Sequence, residues 1–469
     1  MEDQQAGTRR VEGRGQQEGS LRGRAKVWTQ GQRALPANLE RVKKRAQQQV
    51  NIRFTALLHH VNEEALLRAY GRLKRNAAAG VDGETVASYE QRLEENLKGL
   101  LERVHTGCYR ALPVRRVYIP KADGKKRPLG IPALEDKLLQ GAVAEVLSAI
   151  YEVDFLGFSY GFRPGRNAHQ ALYNLHDALM GEKVNWVLDA DIRSFFDSVD
   201  HEWMLRMMEH RIADKRILRL IRKWLKAGVL EDREWQETEQ GTPQGSGISP
   251  LLSNIFLHYA FDLWVQQWRK RYAVGRVIAV RYADDFVMGF QDEVDARKIM
   301  KELQERLAKF KLALHEGKTR LIEFGKFAAE RREKRGKGRP ETFQFLGFTH
   351  YCGKTRNGRF IAQCKTQSKR LIRKLKELRI EAKHRMHTPV VKQYAWLSRV
   401  LKGHYQYYGL PGNSRALGAF RYEVRRMWYK ALRKRSQRVR LTWERFAVFE
   451  EHYFLPLPRI THPWSIAVA

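Results

Sequence analysis

Two adjacent carboxylates inside an apolar run, Arg281-Tyr-Ala-Asp-Asp-Phe-Val287, constrain this chain more than any other feature. The flanking stretches 277–280 and 286–290 are rich in β-branched and aromatic residues. They read as strands, with Asp284-Asp285 at the turn of the hairpin joining them. Like charges placed side by side repel unless a cation neutralises them. Mg²⁺ does this through hard oxygen ligands, usually one or two carboxylates together with substrate phosphates. The plain alternative is an exposed Asp-Asp turn, so the motif has to be weighed with its surroundings.

Upstream, Trp186-Val-Leu-Asp-Ala-Asp-Ile-Arg-Ser-Phe-Phe-Asp197 reads as an apolar strand that delivers carboxylates and then turns into a helix. Asp189 and Asp191 share one strand face, because side chains alternate with a period of two. Between the two carboxylate strands lies Gln240-Gly-Thr-Pro-Gln-Gly-Ser-Gly-Ile-Ser-Pro250, a loop opening a helix over 251–264. A loop of this kind brings backbone close to a ligand and aims N–H groups at phosphate or base. The order of strand carboxylate, Gln-Gly loop and Asp-Asp hairpin resembles the palm of reverse transcriptases.

Further blocks extend the likeness over roughly residues 50–463. Ile119-Pro-Lys-Ala-Asp-Gly-Lys-Lys-Arg-Pro-Leu-Gly-Ile-Pro132, Phe158-Ser-Tyr-Gly-Phe-Arg-Pro-Gly-Arg166 and Phe343-Gln-Phe-Leu-Gly-Phe348 resemble blocks of the bacterial group II intron reverse transcriptase/maturase family. Gly403-His-Tyr-Gln-Tyr-Tyr-Gly-Leu-Pro-Gly-Asn413 and Arg435-Ser-Gln-Arg-Val-Arg-Leu-Thr-Trp-Glu444 are similar to that family's maturase segment. The resemblance implies an α+β right-hand polymerase fold, fingers and palm, followed by an all-α thumb and maturase bundle.

Charge agrees with a polyanionic partner: 87 Lys and Arg against 52 Asp and Glu give a formal +35 over 469 residues. No apolar run reaches the ~18 residues of a membrane helix, and the polar, Arg-rich start lacks the apolar core of a secretory signal. Cys108, Cys352 and Cys364 are too few and too scattered for a disulfide framework or a Cys-x-x-Cys zinc site, which fits a reducing setting. No Cys pairs are present to build an appended zinc-stabilised nuclease domain.

The expected organisation is a disordered basic tail over 1–35, a helical extension over 36–100, fingers and palm over 101–352, a thumb and maturase domain over 353–455, and a tail over 456–469. Apolar positions in 37–75 recur at helical spacing. A hairpin is expected over 118–131, then a helix over 134–151, and an exposed polar loop over 331–341. Residues 365–445 hold 23 Lys and Arg against 4 Glu, interleaved with Tyr405, Tyr407, Tyr408, Trp428 and Tyr429. A charge run is often only a solvated face, but a one-signed excess among aromatics offers phosphate contacts and stacking platforms for unpaired bases. Arg163, Arg425, Arg426, Arg433, Arg435, Tyr405 and Tyr408 are the candidate RNA contacts.

Roles follow from strand position together with the family pattern. Asp191, Asp284 and Asp285 are the expected ligands of two Mg²⁺ ions, with Mn²⁺ as a substitute. Asp189 is the alternative to Asp191, which the resemblance favours because it precedes Phe195 and Phe196 by four and five residues. Phe196 then matches an aromatic that would clash with the 2′ hydroxyl of a ribonucleotide. The resemblance also implies that Lys121 and Arg127 reach triphosphate oxygens, Arg127 with its fork of donors. Gln244 and Gly245 would line the nucleotide pocket, and Lys318 would protonate pyrophosphate or contact a phosphate. His59, His60, His169, His201 and His210 lack ligand spacing and read as surface or satisfied core.

The function implied is an RNA-dependent DNA polymerase that binds its group II intron RNA, assists splicing and copies the intron during retrohoming. Its partners would be intron RNA, an RNA template with a DNA primer, and target DNA. A bacterial cytoplasmic location follows, nucleoid-associated during integration, with no membrane partner. Two alternatives stay open: a reverse transcriptase domesticated for defence or repair, and a pure RNA-binding maturase with a vestigial palm.

Overall fold

The computed structural model describes residues 35–120, 126–231, 234–237, 239–242, 245–435 and 441–464. The first 34 residues, expected as a basic tail, lie outside these. The chain then runs through helices Ala37–Gln48, Glu63–Gly71, Val86–Glu90 and Leu93–His105, which share one apolar core with the long helix Leu134–Asp154. The helical pattern expected over 37–75 is broken at 49–57 by tertiary hydrogen bonds. Phe54 N donates to Arg211 O at 2.8 Å, and the Asp214 carboxylate accepts from Leu57 N and Leu58 N at 2.7 and 3.1 Å. The boundary expected at 100/101 falls inside the Leu93–His105 helix.

The fingers hairpin is β1 (Val114–Pro120) and β2 (Lys126–Ile131), antiparallel, with Ile119 opposite Arg127. β3 (Trp186–Asp191) follows, and then β4 (Val229–Glu231) and β5 (Glu234–Gln236), which extend the hairpin into a sheet of order β2-β1-β4-β5. β6 (Val277–Tyr282), β7 (Asp285–Phe290) and β8 (Arg320–Glu323) join β3 in the palm sheet, order β6-β7-β3-β8, with antiparallel neighbours. Alternation divides this sheet between two cores. Trp186, Leu188, Ala190, Phe286 and Met288 pack with the large helical core. Val187 and Val287 face a second core closed by helix Ala168–Gly181 and by a three-stranded sheet of β9 (Phe343–Phe345), β10 (Phe348–Lys354) and β11 (Phe360–Thr366). Asp189, Asp191 and Asp285 continue this second face to its end.

The helix expected over 251–264 is longer and interrupted: Ser249–Leu257 passes through a π turn, His258–Asp262, into Leu263–Arg271. The expected loop over 331–341 is partly helical, Ala328–Lys334, because Arg332 and Arg335 reach back to buried Glu323 and Arg331 donates to Asn185 at 2.8 Å. The boundary expected at 352/353 cuts through β10. The all-helical part starts with Ser368–His384 and continues with Val390–Tyr408, Ser414–Arg433 and Trp443–His452 around Leu397, Leu401, Phe420 and Trp428. Residues 456–464 are a packed strap. Thr461 N donates to Gly409 O at 2.9 Å, the His462 ring stacks 3.7 Å from His169, and Trp464 stacks 4.1 Å from His176. Among the described residues no helix is long and apolar enough to cross a membrane, and the three cysteines are free.

Candidate active site

The β6–β7 hairpin turns through Ala283 and Asp284, with Tyr282 opposite Asp285. Ala283 has φ 58°, a positive angle at the first turn position, where glycine is the favoured residue. This strained turn is held from beneath by Arg281. Its guanidinium donates to Ala283 O (2.9 Å), to Asn254 Oδ1 (3.1 Å), to Ser159 Oγ (2.7 Å), and to both carboxylate oxygens of Asp262 (2.7 and 2.5 Å). Arg281 is 1% exposed and Asp262 0%. Asp262 lies in the π turn, a helix irregularity that occurs often at functional sites. Segment 158–160 runs beside β6, with Arg281 N donating to Phe158 O and Tyr160 N to Arg281 O. Gly161 then passes so close that a Cβ there would lie 2.4 Å from Ala283 N.

Asp191 stands directly opposite Asp285 in the β3–β7 ladder. Directly opposed like charges destabilise a sheet. Burial, followed by the charges of Asp189, Asp191 and Asp284, pushes the Asp285 carboxyl up to about 8, against a small opposing effect of Arg370. Burial and the Asp191 charge also raise Asp284, while its own backbone N–H, Arg127 and Lys318 pull the other way. Lys318 Nζ is ion-paired with Asp191. The loop carrying Lys318 is tied to the strand end, since His315 N donates to Asp191 O at 2.8 Å and Leu314 bridges Ile192. Asp189 faces Arg320 across β3–β8, and the two form an ion pair at 3.3 Å. Asp189 therefore already has its cation, whereas Asp285 faces a carboxylate, Asp191, on one side and Tyr282 on the other, with a cation across neither ladder.

Among the described residues no three His, Cys, Asp or Glu side chains form a closed metal cage. The donor set still fits Mg²⁺, which asks for one or two carboxylates and takes its other oxygens from water and substrate phosphate. The unrelieved repulsion at Asp285 is what a bound cation would remove.

The other expected site residues divide sharply. Phe196 is half-buried, edge-on to buried Phe195 with ring centroids 5.6 Å apart. It lines a cleft of about 280 Å³ with Pro128, Gly130, Gly241 and Thr242. Gly245, at φ 112°, abuts β2: a Cβ there would sit 2.6 Å from Gly130 O. Arg127 is exposed on β2. Lys121 and Gln244 lie outside the described residues.

Three expected RNA contacts are engaged within the protein, and two of them, Arg163 and Tyr405, are buried. Arg163 is buried, donating to Glu152 (3.0 Å) and to the Leu156 and Ser159 carbonyls (both 2.8 Å). Tyr405 is in the thumb core with its hydroxyl on Pro456 O at 3.0 Å. Arg425 forms a two-pronged pair with Glu450 and lies over Trp443 and Phe446. The polar groups of these three side chains bond within the protein. Tyr408 is half-buried and lines a basic cleft of about 360 Å³ with Arg370, Arg373, Lys374 and Arg399. Arg426, paired with Glu423 at 3.1 Å, borders a groove of about 310 Å³ with Arg379, Lys383, Lys430 and Lys434, and Arg433 and Arg435 are exposed at and just past the end of the same helix.

Residues 119–350 match the family model described as "Reverse transcriptase (RNA-dependent DNA polymerase)". Protein YkfC of Escherichia coli strain K12 is 38% identical over 275 residues, 52% of this chain and 71% of that protein. The group II intron-encoded protein LtrA of Lactococcus lactis subsp. cremoris is 40% identical over 205 residues, 44% of this chain and 34% of LtrA. The chain belongs to the group II intron-encoded reverse transcriptase/maturase family. Such a reverse transcriptase is an RNA-directed DNA polymerase, and residues 119–350 are the part the family model covers. A 91 kDa protein in the cob intron of Schizosaccharomyces pombe is 37% identical over 198 residues, 42% of this chain and 24% of that protein. The matches thus span about a third and a quarter of the lengths of the last two relatives.

The reverse transcriptase motif was readable from its carboxylates, but the residues that hold it were not. Arg281 stands inside the apolar run Val277-Ile-Ala-Val-Arg281, and a lone Arg in a strand otherwise facing core was the available signal. Arg281→Met should cost about 3–5 kcal/mol, because Asp262 is left as an unpaired buried charge. Urea unfolding of the two proteins measures this. A loss below about 1 kcal/mol would show that the guanidinium does not hold the hairpin.

Proposed function

We propose that Asp191, Asp284 and Asp285 form a metal-dependent nucleotidyl-transfer centre that extends a DNA primer on an RNA template, and that the basic helical domain binds the intron RNA whose splicing and mobility the protein serves. The observation that carries the first part is the register of Asp191 against Asp285 beside Asp284, with no cross-strand cation for Asp285.

These carboxylates would hold Mg²⁺, with Mn²⁺ as a substitute. When bound, the metal supplies positive charge to the phosphoryl oxygens and to the attacking and leaving oxygens of the displacement. The primer's 3′ hydroxyl would release its proton to solvent as its oxygen bonds to the α-phosphorus and the bond to pyrophosphate breaks. Lys318, paired with Asp191, would give a proton to the departing pyrophosphate or neutralise a phosphate. Arg127 is close enough to act on Asp284, so its fork of donors suits the triphosphate of an incoming nucleotide. Lys121, Gln244 and Gly245 belong to the same pocket in this reading, and Phe196 forms its floor under the sugar.

The helical domain supports the second part through its large excess of positive charge and its two clefts lined mostly by Lys and Arg among their charged residues. Arg426, Arg433, Arg435 and Tyr408 are the retained RNA contacts. Splicing assistance, copying of the intron into target DNA, and a cytoplasmic, nucleoid-associated location belong to this proposal. A vestigial palm is disfavoured by the built carboxylate site. A role in defence or repair would not need the maturase-like segment.

Three outcomes check this reading. Asp285→Asn and Asp284→Asn should each lower Mg²⁺-dependent dNTP incorporation on an RNA template by more than about 100-fold, since even groups behind metal ligands are worth 10–100-fold. Undiminished synthesis by folded mutants would remove the centre. Phe196→Ala should raise the rNTP-to-dNTP efficiency ratio by making room for the 2′ hydroxyl. An unchanged ratio in an active enzyme places the gate elsewhere. Replacing Arg426, Arg433 and Arg435 by Gln should weaken intron RNA binding and flatten its log–log salt dependence by about 0.7–0.9 for each phosphate no longer neutralised. Asp284→Asn should leave both as they are, and equal RNA affinity and salt slope in the Arg mutant would move the RNA surface away from this helix end.

A further inference from the structure

The helix Leu134–Asp154 carries two buried polar side chains one turn apart, Asp136 and Gln140, each 3% exposed. Each is tied to a different segment of chain near the cleft beside Phe196, one running into β1 and the other following Thr242 in the Gln-Gly loop. Asp136 accepts from the Tyr109 hydroxyl and from Leu112 N at 3.3 Å, two residues before β1, and Trp224 Nε1 donates to the same Tyr109 oxygen at 2.8 Å. This network anchors the root of the fingers hairpin. Gln140 Oε1 accepts from Ser246 Oγ at 2.8 Å, and Ser246 is itself buried. Ser246 follows Gly245, whose backbone packs on Gly130 of β2.

The Gly245-Ser246 end of the Gln-Gly loop is therefore wedged between β2 on one side and this helix on the other. Its backbone contact with Gly130 prevents it from moving toward the fingers. Its side-chain bond to Gln140 prevents it from lifting off the helix. The void among Asp136, Gln140, Ser246 and Trp224 is about 10 Å³, too small for anything beyond a single water, so these groups hold and do not bind.

We infer that Gln140 is a positioning residue for nucleotide selection: through Ser246 it sets the depth of the Gln-Gly loop against β2, and so the fit of the incoming dNTP above Phe196. This rests on the polymerase reading above. It concerns a helix that contributes no group to the chemistry and whose residues lie outside the motifs quoted for the site.

The test is steady-state incorporation of one nucleotide on an RNA template by full-length wild type, Gln140→Leu, Ser246→Ala, the double mutant and Gln140→Glu. KM for the correct dNTP, KM for primer–template, kcat and the correct-to-mismatched ratio are read for each. Gln140→Leu and Ser246→Ala should each raise the dNTP KM about tenfold, the scale of one buried hydrogen bond. They should lower the correct-to-mismatched ratio and leave the primer–template KM unchanged. The double mutant should be no worse than either single, and Gln140→Glu, which keeps an acceptor for the hydroxyl, should restore most of the loss. Additive effects in the double mutant, equal shifts in both KM values, or no change in dNTP KM would overturn the inference while leaving the polymerase intact. No incorporation by the wild type would overturn the polymerase reading, and this one with it.

Discussion

The buried ion pair of Arg281 with Asp262 is the interaction on which the carboxylate hairpin depends. A two-residue turn with Ala283 at a positive φ is not a conformation alanine prefers, and the sequence after it places two like charges at the tip. The guanidinium fixes that turn by its carbonyl while binding the π turn, Asn254 and Ser159 with its remaining donors. A buried charge pair of this kind contributes little net stability against a well-packed apolar alternative. What it contributes here is position: three separate segments of chain converge on one planar group, and the carboxylates emerge from the other side.

The second constraint is register. A shift of β3 by one residue would turn Asp189 and Asp191 into the large helical core and expose Leu188 and Ala190. The two cores on either side of the palm sheet prevent this, and so keep Asp191 opposite Asp285. Repulsion concentrated at the strand ends is then a consequence of packing that stabilises the rest of the sheet. Arg320 relieves it at Asp189 and Lys318 relieves it at Asp191, while Asp285 has no cation across either ladder, which is the gap the proposed metal would fill. Arg370, in the first helix of the all-helical part, weakly opposes the rise at Asp285 and lines the cleft with Tyr408.

Much of this was legible in the sequence wherever the signal was local. The carboxylate strands, the hairpins over 118–131 and 277–290 and the helix after Ala133 follow from alternation, helical spacing and turn residues, and the structure has them. What could not be read were long-range pairings. Arg163 and Arg425 looked like free cations for RNA, yet Glu152 and Glu450 take them up. Tyr405 looked like a stacking platform, but helical spacing alone does not reveal which ring faces the core. The break at 49–57, the ordered strap over 456–464 and the Gln140–Ser246 bond all depend on partners far along the chain, about which local sequence is silent.

The central claim, that two strand ends converge as one cation site, is tested most directly by replacing Mg²⁺ with Fe²⁺ and letting ascorbate and peroxide generate hydroxyl radicals at the bound metal. The account predicts backbone breaks clustered at Asp191 and at Asp284-Asp285 together, suppressed by excess Mg²⁺ and absent in Asp285→Asn. Breaks at only one of the two strands, or breaks that Mg²⁺ does not suppress, would contradict it.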